Sequence, residues 1–212
     1  MLVIAAGLAT GLSAAPALAV CSTSLPTNTV SLGPTPTNWT NSLITIPKYD
    51  GSSGTLCMVV VRLSASLHAQ VQATNTSGAP ATLTATMNVN ANISAPSPIT
   101  SFAATPLSSM QTMNVPSGGG ATFSAGPINS ASNQNFTTPA DLASFNGAGF
   151  LMFSAAANGS FTLTSSSGNT NVNGVNDASA QIEVTYWVVP EPGSLSLLAL
   201  GSLAVHYRRR RR

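Results

Sequence analysis

Catalysis needs convergent groups that exchange protons, attack a substrate or hold a metal. Between Val20 and Val189 this chain offers one histidine (His68), one lysine (Lys48), one arginine (Arg62) and four acids: Asp50, Asp141, Asp177 and Glu183. His68 falls on a polar position of an alternating stretch. No serine–histidine–acid spacing surrounds it, so a solvated surface histidine is expected rather than a general base. Asn173-Gly174-Val175-Asn176-Asp177 carries oxygen ligands but lacks the alternating acids and closing glutamate of a calcium loop, and reads as a turn. Ser117-Gly118-Gly119-Gly120 has no lysine to make it a phosphate loop. No cluster of His, Cys, Asp or Glu has zinc spacing. The expectation is a chain with no catalytic, cofactor-binding or metal site, no cofactor, and no enzymatic activity of its own.

Two softer possibilities concern aromatics and thiols. Trp39, Tyr49, Tyr186 and Trp187 have faces on which sugars stack, but aromatics are first of all core-fillers. Tyr186 falls on the apolar face of its segment and only Trp187 points clearly outward. Cys21 and Cys57 are the only cysteines. In an oxidising compartment one disulfide tying the N-terminal segment to the Thr55–Ser64 segment is the natural reading, with two buried free thiols as the alternative. Leu18-Ala19-Val20-Cys21 also hints at a lipidation site, although a lipidated cysteine normally follows a small residue and Val20 is β-branched.

Charge narrows the field. Only 6% of the 212 residues are charged, against about 25% in an ordinary soluble protein. The formal net charge of +2 is set by the last five residues, Arg208, Arg209, Arg210, Arg211 and Arg212. Without them Lys48 and Arg62 face five acids, Glu191 included, so the rest is mildly acidic. Nucleic-acid binding requires clustered Lys and Arg against phosphates; no nucleic-acid partner is expected.

Both ends read as addresses. Met1 to Val20 has no charged side chain, Pro16 breaks the apolar run, and Ala17-Leu18-Ala19 places small residues at the −3 and −1 positions of a cleavage site. Residues 1–19 are therefore expected to be a signal peptide, with Val20 the first mature residue; the alternative is an uncleaved apolar helix. No Lys or Arg precedes the run, which leaves its positive charge to the amino terminus or to a start further upstream. At the other end, Gly193 to Val205 is uncharged. As a helix it spans about 20 Å against the roughly 30 Å of a bilayer core, so a transmembrane run over 193–207 needs local thinning with Glu191, His206 and Tyr207 in the interfaces. The arginines would then stop transfer on the cytoplasmic side. The competing reading is a buried helix with a solvated basic tail.

Pro190-Glu191-Pro192, the apolar run and the arginine block, in that order, resemble the PEP-CTERM sorting signal of Gram-negative bacteria. The resemblance covers about 23 residues (190–212) and implies recognition by an exosortase, cleavage near Pro190-Glu191-Pro192, and transient anchoring in the inner membrane before transfer to the surface or beyond. Such proteins occur in bacteria that make exopolysaccharide, which makes exopolysaccharide a candidate partner. The removable tail follows the logic of other C-terminal anchors.

The elements between the two addresses are strands. From Leu83 to Ile93 apolar and polar residues alternate without fault, the period of a strand with one buried face. Leu67 to Thr74 alternates likewise, and the turn-like Asn75-Thr76-Ser77-Gly78-Ala79-Pro80 between them predicts an antiparallel hairpin. Further strands are expected at Leu43–Ile46, Thr55–Ser64, Ala121–Ala125, Gly149–Ala156, Ser160–Ser165 and Ala180–Val189. Asp141 to Phe145, after Pro139, supports one helical turn. Ala95–Gly120 and Asn169–Asp177 read as loops. Many short strands with Gly, Asn, Ser and Pro turns predict an all-β, antiparallel β-sandwich over 20–189, flanked by the signal peptide and a C-terminal apolar helix. Ile46-Pro47-Lys48-Tyr49-Asp50, Gly54-Thr55-Leu56 and the late Val184-Thr185-Tyr186 resemble the choice-of-anchor E type of domain over roughly residues 28–189. That resemblance implies an exported β domain and no activity. The expected function is an exported surface or matrix protein; the alternatives are a carbohydrate-binding module and, behind it, a hydrolase.

Overall fold

The computed structural model describes residues 21–190. The expected signal peptide, with Ala17 and Ala19, and the apolar run with Arg208–Arg212 lie outside the described residues, as do Glu191 and Pro192.

Two antiparallel sheets enclose one apolar core. The first is built on β4 (Thr55–Asn75) and β10 (Thr170–Val189), with β8 (Gly120–Phe136) on one side. On its other side β10 pairs with β1 (Thr23–Ser24) and with β2 (Asn28–Pro36), which share that edge. The second sheet runs β3 (Trp39–Pro47), β9 (Phe150–Ser165), β5 (Ala81–Ser94), and β5 carries both β6 (Phe102–Ala103) and β7 (Leu107–Val115) on its far edge.

The alternation expected in β5 is present: Leu83, Ala85, Met87, Val89, Ala91 and Ile93 are buried. β10 likewise turns Ala180, Ile182, Val184, Tyr186 and Val188 inward. Many inward positions are alanine, including Ala65, Ala69, Ala85, Ala155 and Ala157. Small residues facing each other let the sheets approach, and large side chains such as Phe123 and Phe153 fill what remains.

Several expectations are corrected. The segments read as two strands, Thr55–Ser64 and Leu67–Thr74, form one 21-residue strand, because Ala65 and Leu67 continue the inward series through Ser64 and Ser66. The hairpin is an arch instead: β4 belongs to the first sheet and β5 to the second. Turn composition does not distinguish a reversal within a sheet from a crossing between sheets. Asn75 decides it here, wholly buried, with its Nδ2 donating to the carbonyls of Ala79, Val115 and Pro116 at 2.9, 3.1 and 3.2 Å.

Ala95–Gly120 is not all loop, since it contains β6 and β7. β7 is an edge strand that fully buries only its end residues, Leu107 and Val115, so its pattern is faint. Asn169–Asp177 is not a loop either. Thr170 to Asp177 pairs residue by residue with Asn75 to His68; ladder hydrogen bonds override the turn propensity of Asn and Gly. β2 went unread because it holds Gly33, Pro34 and Pro36, which an edge strand tolerates.

The short helix expected after Pro139 is α1 (Pro139–Phe145). Thr138 caps it: its Oγ1 accepts from the Asp141 amide at 3.2 Å and donates to Asp141 Oδ2 at 2.7 Å. Phe145 is fully buried, its ring 5.0 Å from that of Phe136. Among the described residues no helix is long and apolar enough to cross a membrane.

Candidate functional site

The residues that could do acid–base chemistry are brought together only loosely. His68 stands opposite Asp177 in the β4–β10 ladder. This corrects the expectation that no acid accompanies it: Asp177 Oδ2 lies 3.9 Å from His68 Nδ1, and Ser124 Oγ lies 3.5 Å from Nε2. The row has the residue types of a nucleophile triad. Both separations exceed the roughly 2.6–3.2 Å over which a base takes a proton, and the His68 side chain is 37% exposed on the outer face of the sheet. Asn173 to Asp177, expected as a turn, is straight strand, so its oxygens alternate between the two faces. Among the described residues no group of three or more His, Cys, Asp or Glu is placed to hold a metal.

The four aromatics do not form one platform. Tyr49 and Tyr186 are buried together, ring centroids 5.9 Å apart. Trp187 is half-buried on the outer face, opposite Ser24 and Met58. Trp39 sits on β3 in the other sheet, opposite Ala157, its Nε1 buried without a partner.

The best-built site is the end of the molecule where β10 finishes. Val188 and Val189 pair with Leu56 and Thr55, and the register slips at Cys57. That bulge presents Cys57 to Cys21, to which it is disulfide-bonded with a Cα–Cα distance of 5.8 Å. The thiol of Cys21 is thereby used, which answers both the free-thiol and the lipidation readings. Gly54, at φ +130°, packs so tightly under the Val189 carbonyl that a Cβ there would collide with it. Gly54 is held in turn by Tyr49, whose hydroxyl donates to the Gly54 carbonyl at 2.6 Å and accepts from the Ser53 amide at 3.0 Å. The Tyr186 hydroxyl donates to the Pro47 carbonyl at 2.7 Å, and burial pushes its pKa up to about 12. Asp50, open to solvent, accepts from the Ser52 amide at 2.9 Å, which holds its carboxyl below the usual range.

Thus Ile46-Pro47-Lys48-Tyr49-Asp50 and Gly54-Thr55-Leu56 form a brace around the chain's exit. In the sequence these residues carry a family resemblance but no sign of the brace beyond a tyrosine followed by a glycine-bearing turn. A cleft of about 580 Å³ lies between this loop and α1, lined by Tyr49, Gly54, Leu56, Pro139 and Leu142 among others.

What leaves this braced exit decides the reading. Residues 188–212 match the PEP-CTERM protein-sorting motif. The match begins inside β10, at the two valines that pair with Leu56 and Thr55. A PEP-CTERM motif marks an exported protein sorted to the cell surface, with an exosortase as its processing partner. No curated protein matches the chain. Among solved structures the chain is aligned with that of infectious bursal disease virus Gx strain at 12% identity, covering 98% of this chain and 55% of that one, with a TM-score of 0.18. For the Gt strain the values are 12%, 90%, 46% and 0.17. The chain spans about half the length of these structures, and overlaps this slight say nothing about fold or role.

Proposed function

We propose that this protein is a non-enzymatic surface or extracellular-matrix component: a disulfide-tied β-sandwich of the choice-of-anchor E type. It is exported by the 1–19 signal peptide, held briefly in the inner membrane by 193–207 with Arg208–Arg212 inside, and released or attached by an exosortase acting at Pro190-Glu191-Pro192. The observation that carries this is the PEP-CTERM motif starting where the braced last strand ends. The disulfide supports an oxidising destination, and the scarcity of charge and wealth of Ser, Thr and Asn suit association with exopolysaccharide in a biofilm matrix. Replacing Pro190-Glu191-Pro192 by alanines tests the sorting: the chain should stay membrane-bound at its unprocessed mass. Unchanged mass and destination would overturn it.

One observation favours carbohydrate recognition as a second reading. A trough of about 270 Å³ crosses the outer face of β10, β4 and β8, lined by hydroxyls and amides including Ser64, Ser66, Asn129, Ser179 and Gln181. A glycan array should then show binding that weakens in Gln181→Ala and Asn129→Ala; a flat array removes this reading.

A further inference from the structure

The outward positions of the second sheet are small and polar over most of its area, with Thr82, Thr84, Thr86, Asn88, Asn90 and Asn92 along β5. On β7 Met110 and Met113 are exposed singly, at 74% and 42%, and Leu43, Phe150 and Met152 break that rule as a group, at 59%, 61% and 58%. Phe150 pairs with Pro47, Met152 with Thr45 and Leu43 with Ser154. All three side chains therefore point outward on adjoining strands, Leu43 diagonal to Met152. β5 ends at Ser94, opposite Ser154, so Phe150 and Met152 stand where only β3 flanks β9. The Pro47 carbonyl is hydrogen-bonded by Tyr186, close to the end of β10. This apolar group thus lies at the end of the sandwich from which the sorting motif departs.

We propose that Leu43, Phe150 and Met152 rest in the lipid interface of the membrane that the chain's own tail enters, until the sorting motif is processed. The inference depends on the anchoring described under the proposed function. The last strand is fixed through Val189, and the uncharged run begins at Gly193, so the tether from Pro190 is at most about 10 Å long. A body held so closely presents this end to lipid, where apolar side chains sink about 5–10 Å into the headgroup–acyl boundary. An apolar group spanning two adjoining strands marks such a contact, where scattered exposed residues such as Met110 and Val172 do not. The nearby charges are Lys48 and Asp50, with Asp141 on α1, and form no basic patch. The contact is therefore apolar and needs no anionic lipid.

The test uses the exported chain, residues 20–212, reconstituted in phosphatidylcholine vesicles containing bromine-labelled lipid. A Phe150→Trp variant should have its added indole emission quenched, as expected for a side chain in the headgroup–acyl boundary, at low and high salt alike. A Val172→Trp variant, at the opposite end of β10, should not. If the chain floats with the vesicles and the two reporters are quenched equally, the patch does not touch lipid and the inference falls while the anchor stands. If the chain does not float with vesicles, both fall. A concentration-dependent blue shift of the Phe150→Trp variant without vesicles would assign the patch to a second copy and overturn the lipid contact. Quenching that needs anionic lipid and vanishes in salt would overturn its apolar character.

Discussion

Three carbonyls, of Ala79, Val115 and Pro116, converge on the Nδ2 of Asn75, whose Oδ1 accepts from the Ser77 amide and hydroxyl at 3.0 and 2.6 Å. An amide has two hydrogens for these three acceptors, so one bond is shared. Asn75→Leu keeps the volume and removes every bond, leaving buried carbonyls unpaired. Urea unfolding should show a loss of about 3 kcal/mol. Tyr186 makes a pH prediction. Its raised pKa means that the folded state favours the neutral phenol, so that contribution is complete below the ordinary value near 10 and disappears as pH climbs to about 12. Tyr186→Phe should therefore be less stable than the parent at pH 8, having lost the bond to Pro47. Its stability should also fall less steeply between pH 10 and 12 in thermal scans. Not all of this scale was legible. His68 was correctly placed on a polar face, but Asp177 and Ser124 reach it only through the register of three strands, which no local pattern encodes.

At the scale of elements, legibility followed burial. β5 was readable because its whole inner face is apolar. β2 and β7, as edge strands, bury few side chains and hold Pro, Ser and Gln, so their patterns dissolve. The arch between β4 and β5 was mistaken for a hairpin because both geometries need a polar turn between two one-sided strands; the distinction lies in Asn75 and its contacts across the sandwich. The exit brace is an element-scale device, and it predicts that Gly54→Ala costs about 1–3 kcal/mol from the φ > 0 backbone alone. The collision with Val189 should add to this and show as faster amide exchange at the end of β10. The disulfide closes a loop of sequence separation 36, for which chain entropy gives about 3–4 kcal/mol. Denaturation of a Cys21→Ser/Cys57→Ser double variant should fall by that order, and alkylation of the parent without reductant should label neither residue.

For the whole molecule, the polar composition and the fold serve the same end. A mildly acidic, nearly uncharged sandwich keeps most of its apolar residues between two sheets, and its exposed group of Leu43, Phe150 and Met152 lies toward the end where β10 finishes. Both ends of the described residues meet there: Cys21 is bonded to Cys57, and Val188 pairs with Leu56 and with Thr23. The C-terminal sorting motif was the most legible part of the chain, since it depends on order and composition alone; what the body binds depends on surface geometry, of which the trough beside Arg62 is the present candidate. The most direct measurement is intact-mass analysis of the protein recovered from the cell surface or medium of a host with an active exosortase. The account predicts a chain that begins at Val20, contains the oxidised cysteine pair, and ends near Pro190-Glu191-Pro192 without Arg208–Arg212. A chain that remains inside the cell, or that leaves it still ending in Arg212, would contradict it.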